Sequence, residues 1–378
     1  MRELREQLKL KKIQVTNFRN LNPDVVEFCS KINCIFGQNG NGKTNLLEAI
    51  HFLVHRKSFR KNTGFSQILS MDAGEAEIKI SAVFESGSDE ISTKSSLQSY
   101  SGKITPEGAT WYAANMQTKK RPGVEVVFIN PFDSHAFHTT PAFRREWFDK
   151  HISMFDDEYR VALRKYGDAL KFRNALLAKK PPKFREQVLA IDPELTFQAE
   201  TLTRLRLAFI EKIQNQFAET FKKIFSEDHA LRINLESKLH EPYAEHFRHI
   251  LKENLTKDEI MGHTSYGIHK DDYNFEFDGV NAFDYCSLGQ QKMSYLSLLF
   301  AYIELFRYKF LAYPIVLIDD VSGELDASRW QRLVDYLKDA KFQVLITTAN
   351  ENFREELERV EGTKVMRICI TQGTVSQL

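Results

Sequence analysis

Cysteine is scarce in this 378-residue sequence, and long apolar runs are missing from it. The four cysteines cannot form a disulfide framework in a chain of this length, and the closest pair, Cys29 and Cys34, has no second Cys or His pair nearby to complete a zinc site. No window approaches the roughly 18 apolar residues of a membrane span, and the run 298–306 is interrupted by Glu304. We therefore expect a soluble, cytoplasmic protein with no membrane partner.

An excess of charge of either sign is also missing, since 52 Lys and Arg residues face 51 Asp and Glu residues for a net charge of +1. Together with 42% hydrophobic residues, this balance excludes a disordered acidic or basic tail protein. A nucleic-acid site would have to come from local clusters of Lys and Arg rather than from the overall charge. The length predicts one large domain with an insertion, or two ordinary domains.

The apolar pattern changes twice along the chain. Strands are predicted over 8–36, a helix over 44–56, and further strands over 78–84, 91–104 and 124–129. From Pro141 to about Phe225 the pattern is that of amphipathic helices without sustained a/d heptads, which predicts an inserted helical lobe rather than a coiled-coil arm. After Asn274 β and α segments alternate, with helices over 287–308 and after Asp326 and Glu351, and strands over 315–318, 342–346 and 365–370.

A phosphate-binding loop is predicted between the strand that ends at Phe36 and the helix that follows. The residues from Gly37 to Thr44, GQNGNGKT, match the pattern GxxxxGKT. Glycines let backbone N–H groups turn toward the phosphates, Lys43 reaches the β and γ phosphates, and Thr44 ligates Mg²⁺. The structural alternative is a glycine-rich turn before a helix. The predicted nucleotide ligands are Gly37, Asn39, Gly40, Gly42, Lys43 and Thr44.

A pair of carboxylates follows a short apolar strand much later in the chain. The segment 314–320, PIVLIDD, delivers Asp319 and Asp320 at the carboxyl end of that strand. We expect Asp319 to hold Mg²⁺ through a water and Asp320 to act as general base on the attacking water, with Glu324 as the next candidate. Alone, the motif is equally compatible with an ordinary strand exit, and only its pairing with the phosphate loop makes it specific.

A third motif separates classes of NTPase. The segment 287–292, SLGQQK, lies at a predicted helix start about thirty residues before the Asp-Asp strand, and 322–326, SGELD, follows that strand. Both resemble the signature motif and D-loop of ABC-type ATPase heads, in which the signature of one subunit caps the γ-phosphate bound by the other. We therefore add Ser287, Gly289 and Gln290 to the nucleotide ligands, although a Ser here can also serve only as a helix cap.

Taken together, the motifs make the chain similar to the RecF family of bacterial recombination mediators from about residue 8 to 378. The matching segments are 17–20 (NFRN), 37–50, 58–60 (SFR), 141–145 (PAFRR), 166–177 (YGDALKFRNALL), 267–272 (GIHKDD), 287–292 and 318–326. The resemblance implies an α/β fold: an ABC-type ATPase head, with a phosphate loop and a mixed sheet flanked by helices, and an inserted, mainly helical second lobe. It divides the chain into head residues 1–140, lobe residues 141–260 and head residues 261–378.

The same resemblance implies a function. Members dimerise on ATP and Mg²⁺, hydrolyse ATP slowly, bind double-stranded DNA near gaps or junctions, and with RecO and RecR help RecA load onto DNA covered by single-strand binding protein. Two rival functions stay open: an SMC-like structural chromosome ATPase and a small-molecule P-loop kinase. The first would need hundreds of heptad residues or a CxxC hook between the two halves, and the second has no use for the signature motif.

Two departures from the family pattern stand out. The motif usually written GPHRDD is GIHKDD here, and Lys270 lacks the bidentate fork of an arginine. His269 is expected to be a structural histidine. In addition, Thr347-Thr348-Ala349 stands where transporter-type ABC ATPases place a switch histidine.

Candidate DNA contacts come from clusters of basic residues. Arg56, Lys57, Arg60 and Lys61 follow the helix behind the phosphate loop, and further clusters occur at 119–121 and 179–185. The alternative for each cluster is ordinary solvated surface. Because no base-reading motif is apparent, we expect recognition of the DNA backbone rather than of sequence.

Overall fold

The computed structural model describes residues 7–86, 96–130, 133–225, 229–320, 327–349 and 365–377. They divide into two compact units. The first comprises residues 1–132, 223–226 and 303–378, and the second comprises 133–222 and 227–302. Among the helices within the described ranges, none is long and apolar enough to cross a bilayer.

The first unit contains an antiparallel and a mainly parallel six-stranded sheet. The antiparallel sheet has the order β2-β1-β4-β5-β6-β7, and the other has the order β15-β14-β3-β13-β12-β8, in which only β15 runs against its neighbour. The strands are β1 (Leu8–Thr16), β2 (Val25–Glu27), β3 (Ile32–Phe36), β4 (Ile78–Ser86), β5 (Ser96–Thr105), β6 (Gly108–Ala113), β7 (Met116–Gln117), β8 (Val126–Ile129), β12 (Ile315–Ile318), β13 (Val344–Thr348), β14 (Val365–Thr371) and β15 (Thr374–Gln377). The helices are α1 (Lys43–His55), α2 (Phe65–Ile68) and α11 (Ala327–Asp339).

Helix α1 is surrounded by the core of this unit. Ten of its residues are buried. Among them, Leu46, Ile50 and Leu53 pack in one hydrophobic core together with residues of both sheets. A helix that is buried all round must be apolar nearly all round, as this one is. The strands β3 and β12, buried on both faces, are also continuous apolar runs, which is typical of the inner strands of a parallel sheet.

The second unit is mainly helical and contains one small antiparallel sheet. Its helices are α3 (Asp133–Thr139), α4 (Pro141–Phe155), α5 (Asp157–Lys179), α6 (Phe184–Phe225), α7 (Tyr243–Glu253), α8 (Leu255–Met261), α9 (Ala282–Tyr285) and α10 (Leu288–Phe310), of which α6 and α10 end in residues of the first unit. A 3₁₀ turn covers Ile268–Lys270. The sheet has the order β11-β10-β9, with β9 (Leu231–Glu236), β10 (Asp272–Phe277) and β11 (Val280–Asn281).

The mixed α/β fold with an inserted helical unit is confirmed. The second unit is longer than the expected lobe 141–260, because β10 pairs with β9 through six residues and its aromatic residues pack against α4. The start of α10, with the signature motif, therefore belongs to the second unit. The helix expected after Glu351 and the first residues of the strand expected over 91–104 lie outside the described residues.

Candidate nucleotide site

The phosphate loop joins β3 to α1 in a conformation that requires glycine. Gly40 and Gly42 have φ of 85° and 111°, in the left-handed region that side chains disfavour. At Gly37 a Cβ atom would lie 2.2 Å from the carbonyl oxygen of Ile370 in β14. The loop ends at the N-terminus of α1, where backbone N–H groups and the helix dipole favour an anion.

Three hydrogen bonds hold the loop against neighbouring segments of the first unit. The Asn41 side chain donates to the Ile370 carbonyl at 3.1 Å, and the Gly373 N–H donates to the Asn41 carbonyl at 3.0 Å. On the other side, the amide of Asn20 donates to the Gly40 carbonyl at 3.0 Å. The loop is thus fixed in shape, whereas Asn39 at its tip is exposed.

Lys43 is buried within the loop that precedes it. Its Nζ donates to the carbonyl oxygens of Gly37 at 2.7 Å and Gln38 at 3.1 Å. Burial lowers the pKa of Lys43, and the nearby charges of Asp320 and Asp319 act in the opposite direction. The ammonium group therefore faces both the loop and the acidic pair, where it can bind a phosphate oxygen.

Thr44 and Asp319, 275 residues apart, are in direct contact. The Thr44 hydroxyl lies 2.9 Å from Oδ1 and 3.0 Å from Oδ2 of Asp319. Burial raises the pKa of Asp319, while hydrogen bonds from Thr347 and Thr44 act against it. A half-buried carboxylate beside a hydroxyl is a set of hard oxygen donors that suits Mg²⁺, and a divalent cation would offset the cost of partly burying this charge.

Thr347 orients the acidic pair. Its hydroxyl donates to Oδ1 of Asp319 at 2.8 Å and accepts the backbone N–H of Asp320 at 2.9 Å. Asp320 has a φ of 43°, in the left-handed region, so the backbone leaves the extended conformation of β12 directly after Asp319. Sequence reasoning noted Thr347 only as the replacement of a histidine and missed this contact.

A buried carboxylate on α1 forms the second group that sequence reasoning missed. Glu48 is fully buried and accepts two hydrogen bonds from Arg19, at 3.1 and 2.9 Å, and one from the Ser58 hydroxyl at 2.6 Å. Arg60 adds a contact of 3.1 Å to the same carboxylate and donates to Asn45 at 2.8 Å. The sequence did contain a signal for this group, namely a Glu inside the apolar run LLEAI. A charge that is buried among apolar residues requires partners of opposite charge or hydrogen-bond donors.

These contacts give Arg60 surroundings that the sequence did not suggest. It is bound to residues of α1, and its charge opposes the rise in the pKa of Asp319 that burial causes, so it lies beside the nucleotide site. Arg56 donates to the carbonyl oxygens of Lys119 and Lys120, and its guanidinium lies 5.0 Å from the centre of the Trp111 ring. It therefore joins two basic clusters, 56–61 and 119–121, into one surface, on which Lys57 and Lys61 are exposed. The DNA role of all four residues stays a prediction.

In the second unit, the signature residues form the N-terminal cap of α10. The Ser287 hydroxyl accepts the Gln290 N–H at 3.3 Å, and the Gln290 side chain accepts the Ser287 N–H at 2.9 Å. This reciprocal pair is a capping box, so Ser287 does cap α10, and the nucleotide role of Ser287, Gly289 and Gln290 stays a prediction. Ser287 and Leu288 are exposed, and Gly289 follows in the first turn. The segment 322–326, with Glu324, lies outside the described residues.

His269 of the GIHKDD motif has a structural environment. Its Nδ1 lies 2.9 Å from the Tyr166 hydroxyl, its Nε2 lies 3.3 Å from the Thr264 carbonyl, and burial lowers its pKa to about 4. Lys270 is exposed, and the neighbouring carboxylate of Asp272 is bound instead by Arg144. The expected structural role of His269 is therefore supported by its contacts.

Comparisons with known proteins agree with this geometry. Residues 9–372 match the family described as RecF/RecN/SMC N terminal domain. The DNA replication and repair protein RecF of Bacteroides fragilis is 30% identical over 379 residues, which cover 98% of each sequence. The protein of the same name from Bacteroides thetaiotaomicron is also 30% identical, again with 98% of each sequence covered.

Solved structures of RecF proteins are also similar to this chain. The RecF-ATPrS and RecF-ATP forms of the recombination mediator protein RecF in the RecFOR pathway superpose on the chain with TM-scores of 0.81 and 0.80. Their identities are 26% and 25%, and the alignments cover at least 99% of each chain. The Smc head domain from Pyrococcus furiosus, at 15% identity, 98% and 96% coverage and a TM-score of 0.56, shares the fold.

Proposed function

This chain belongs to the RecF family, and from that premise we propose that it is an ATP-dependent, DNA-binding recombination mediator. ATP and Mg²⁺ bind at the phosphate loop, two copies close on the nucleotide, and the closed dimer binds duplex DNA near a gap or junction. With RecO and RecR as partners it then helps RecA to load. We further propose that it acts in the cytoplasm.

The observation that carries this proposal is the contact between Thr44 and Asp319. It supports one site in which the loop and α1 bind phosphates through backbone N–H groups and Lys43, while the hydroxyl and the carboxylate would hold Mg²⁺. The cation, when bound, supplies charge neutralisation on the phosphates. The chain's own residues fix the loop, hold Asp319 in its orientation through Thr347, and set Asp320 apart from it to accept a proton from water.

Closure of the dimer is proposed to use the exposed cap of α10. The hydroxyl of Ser287 and the first N–H groups of this 23-residue helix are suited to bind the γ-phosphate held by a second copy. This use of the signature separates the proposal from a small-molecule kinase, which works as a single subunit. It also needs no long coiled coil, in contrast to an SMC-like chromosome ATPase, and α6, the longest described helix, has 42 residues.

The DNA surface is proposed to combine the two basic clusters that Arg56 joins. Lys57, Lys61 and the exposed residues 119–121 would contact phosphates, and Arg56 would hold the two segments together. Arg60 is also predicted to contact DNA. Because it binds Glu48 and Asn45 of α1, DNA binding that changed these contacts would alter the surroundings of the nucleotide site.

The experiment that tests this function is sedimentation of Ser287→Arg with ATP, with and without a gapped duplex. The bulky cation would fill the space that the γ-phosphate must enter, so ATP-driven dimerisation and DNA binding should be lost. ATP binding by the single chain should remain, since the phosphate loop is unchanged. If dimerisation tightens ATP binding tenfold, the variant loses about 1.4 kcal/mol of apparent affinity and no more.

Ser287→Ala is the matched control. It loses the capping hydroxyl, as Ser287→Arg does, at a cost of about 1 kcal/mol, but leaves the space open. It should therefore dimerise far better than the Arg variant. A normal ATP-dependent dimer of Ser287→Arg would reject the role between subunits and leave an NTPase that works within one chain.

A further inference from the structure

A series of buried and partly buried contacts in the second unit begins at the GIHKDD motif. Arg144 of α4 binds the carboxylate of Asp272 through two hydrogen bonds, Nε to Oδ1 at 2.8 Å and Nη2 to Oδ2 at 2.7 Å. Its Nη1 also donates to the carbonyl oxygens of Phe137 and His138 at 2.9 and 2.7 Å. These are carbonyls of the last turn of α3, which have no partner within a helix. Arg144 therefore fixes the end of α3 to the start of β10.

His138 carries the contact from α3 to α10. Its ring is buried, and Nε2 lies 2.9 Å from the carbonyl oxygen of Gln291 and 3.1 Å from the hydroxyl of Ser294. Because a carbonyl oxygen can only accept, Nε2 must carry the proton. Burial lowers the pKa of His138 to about 4, which favours the neutral ring, and the contact with the Gln291 carbonyl selects its Nε2–H tautomer.

Gln291 contacts the turn 282–286, which precedes the signature motif. Its buried side-chain amide lies 3.3 to 3.4 Å from the carbonyl oxygens of Ala282, Phe283 and Cys286. These residues form α9 and the link to Ser287, whereas Phe283 and Tyr285 of the same turn are exposed by 48% and 73%. The Gln291 amide thus helps to hold the exposed turn, together with the Asn281 side chain, which accepts the Phe283 N–H at 2.8 Å, and His138 bonds to the backbone carbonyl of Gln291.

We propose that Arg144 and His138 are positioning residues for the signature turn. The inference rests on the proposed function, because it assumes that Ser287 meets the nucleotide of a second copy. An exposed turn that must be ordered upon association loses conformational freedom at that moment, and a turn fixed in advance loses less. Arg144 and His138 touch neither the phosphate loop nor Ser287 in the described contacts, so they act on closure indirectly, through Gln291 and through the packing of α3 against α9.

Two substitutions of His138 separate this role from simple packing. His138→Leu keeps the volume but removes the donor, and the Gln291 carbonyl loses one of its buried hydrogen bonds. We expect the dissociation constant of the ATP-bound dimer to rise about tenfold, which corresponds to about 1.4 kcal/mol and lies within the range for the loss of one intramolecular hydrogen bond. His138→Gln, whose amide can replace Nε2–H, should remain within about threefold of the unchanged chain.

The measurement is sedimentation equilibrium with ATP, together with ATP titration at protein concentrations too low for dimers. Single-chain ATP affinity should be the same in both variants. Arg144→Lys, which keeps the charge but loses the fork and the carbonyl bonds, should also weaken the dimer, and it provides the test if His138→Leu does not fold. Arg173→Lys is the matched control, because Arg173 forms buried ion pairs with Asp192 and Asp258 of the same unit but belongs to another contact group.

The outcomes are distinguishable. Wild-type dimer constants for both His138→Leu and Arg144→Lys would overturn the inference, and so would an equal loss in Arg173→Lys, which would indicate a general effect of lobe stability. If Ser287→Arg dimerises normally, the proposed function itself is rejected. Loss of the dimer in Ser287→Arg but not in His138→Leu or Arg144→Lys rejects only the positioning role.

Discussion

Replacing Thr347 by Val tests whether this residue orients Asp319, the carboxylate that we propose binds Mg²⁺. The change preserves shape, since valine has the branched volume of threonine, but it removes the hydroxyl that donates to Asp319 and accepts the N–H of Asp320. A hydrogen bond to a charged group contributes about 1.5–3 kcal/mol. If the ionised, oriented carboxylate is needed only as ATP reacts, turnover at neutral pH should fall roughly 10- to 150-fold.

The pH dependence of turnover gives a second, independent readout. Burial already raises the pKa of Asp319, and the Thr347 hydroxyl opposes that shift by stabilising the ionised form. Its removal should raise the pKa further, so the acid limb of the turnover profile should move to higher pH. The deficit relative to the unchanged chain should then shrink as the pH rises and Asp319 becomes ionised in both proteins.

The assay is single-turnover release of phosphate, with protein in excess so that slow product release does not mask the step. Thr347→Ser is the control, because it keeps the hydroxyl and should retain most of the activity and the original pH profile. Unchanged turnover in Thr347→Val, or an equal loss in Thr347→Ser, would refute the orienting role. ATP binding is measured in parallel and should change much less than turnover.

Two further outcomes are expected. Asp320→Asn should leave ATP bound while slowing turnover, because the amide keeps the shape but cannot accept a proton from water; equal single-turnover rates would exclude Asp320 as the base. DNA affinity should fall steeply with salt and depend little on sequence, and Lys57→Ala should reduce the slope of log affinity against log salt by about 0.9 if the side chain neutralises one phosphate. Lys257→Ala, an exposed lysine on α8, is the control for that slope, and an equal change in both variants would argue against a contact at Lys57.

The parts of the site that could be predicted from sequence are those with fixed local spacing. The glycines of the loop 37–44 predict its conformation, and the apolar run before Asp319 predicts a buried strand. Thr44 and Asp319 meet because β3 and β12 both run parallel to β13, so their carboxyl ends lie at the same edge of the sheet.

The remaining contacts depend on tertiary structure, which no local pattern encodes. Thr347 meets Asp319 only because β13 lies beside β12 in the sheet, and Arg19 meets Glu48 across 29 residues. Arg144 and Asp272 stand in two separate motifs, and nothing in their spacing indicates that they form an ion pair. Helix α1 begins one residue before the predicted start, since the left-handed conformation of Gly42 places the cap immediately ahead of Lys43.

The position of β3 between β13 and β14 has a consequence for how the protein is made. Both neighbours of the strand that carries the phosphate loop are synthesised more than 300 residues after it. At about 5–20 residues per second on the ribosome, roughly a quarter of a minute to a minute passes before β14 can pair with β3. Throughout that interval the nascent chain carries an apolar strand with both edges unpaired, a species prone to aggregation. The nucleotide site therefore cannot assemble before β14 has been synthesised, and production of this protein should depend on chaperones more than its balanced composition suggests.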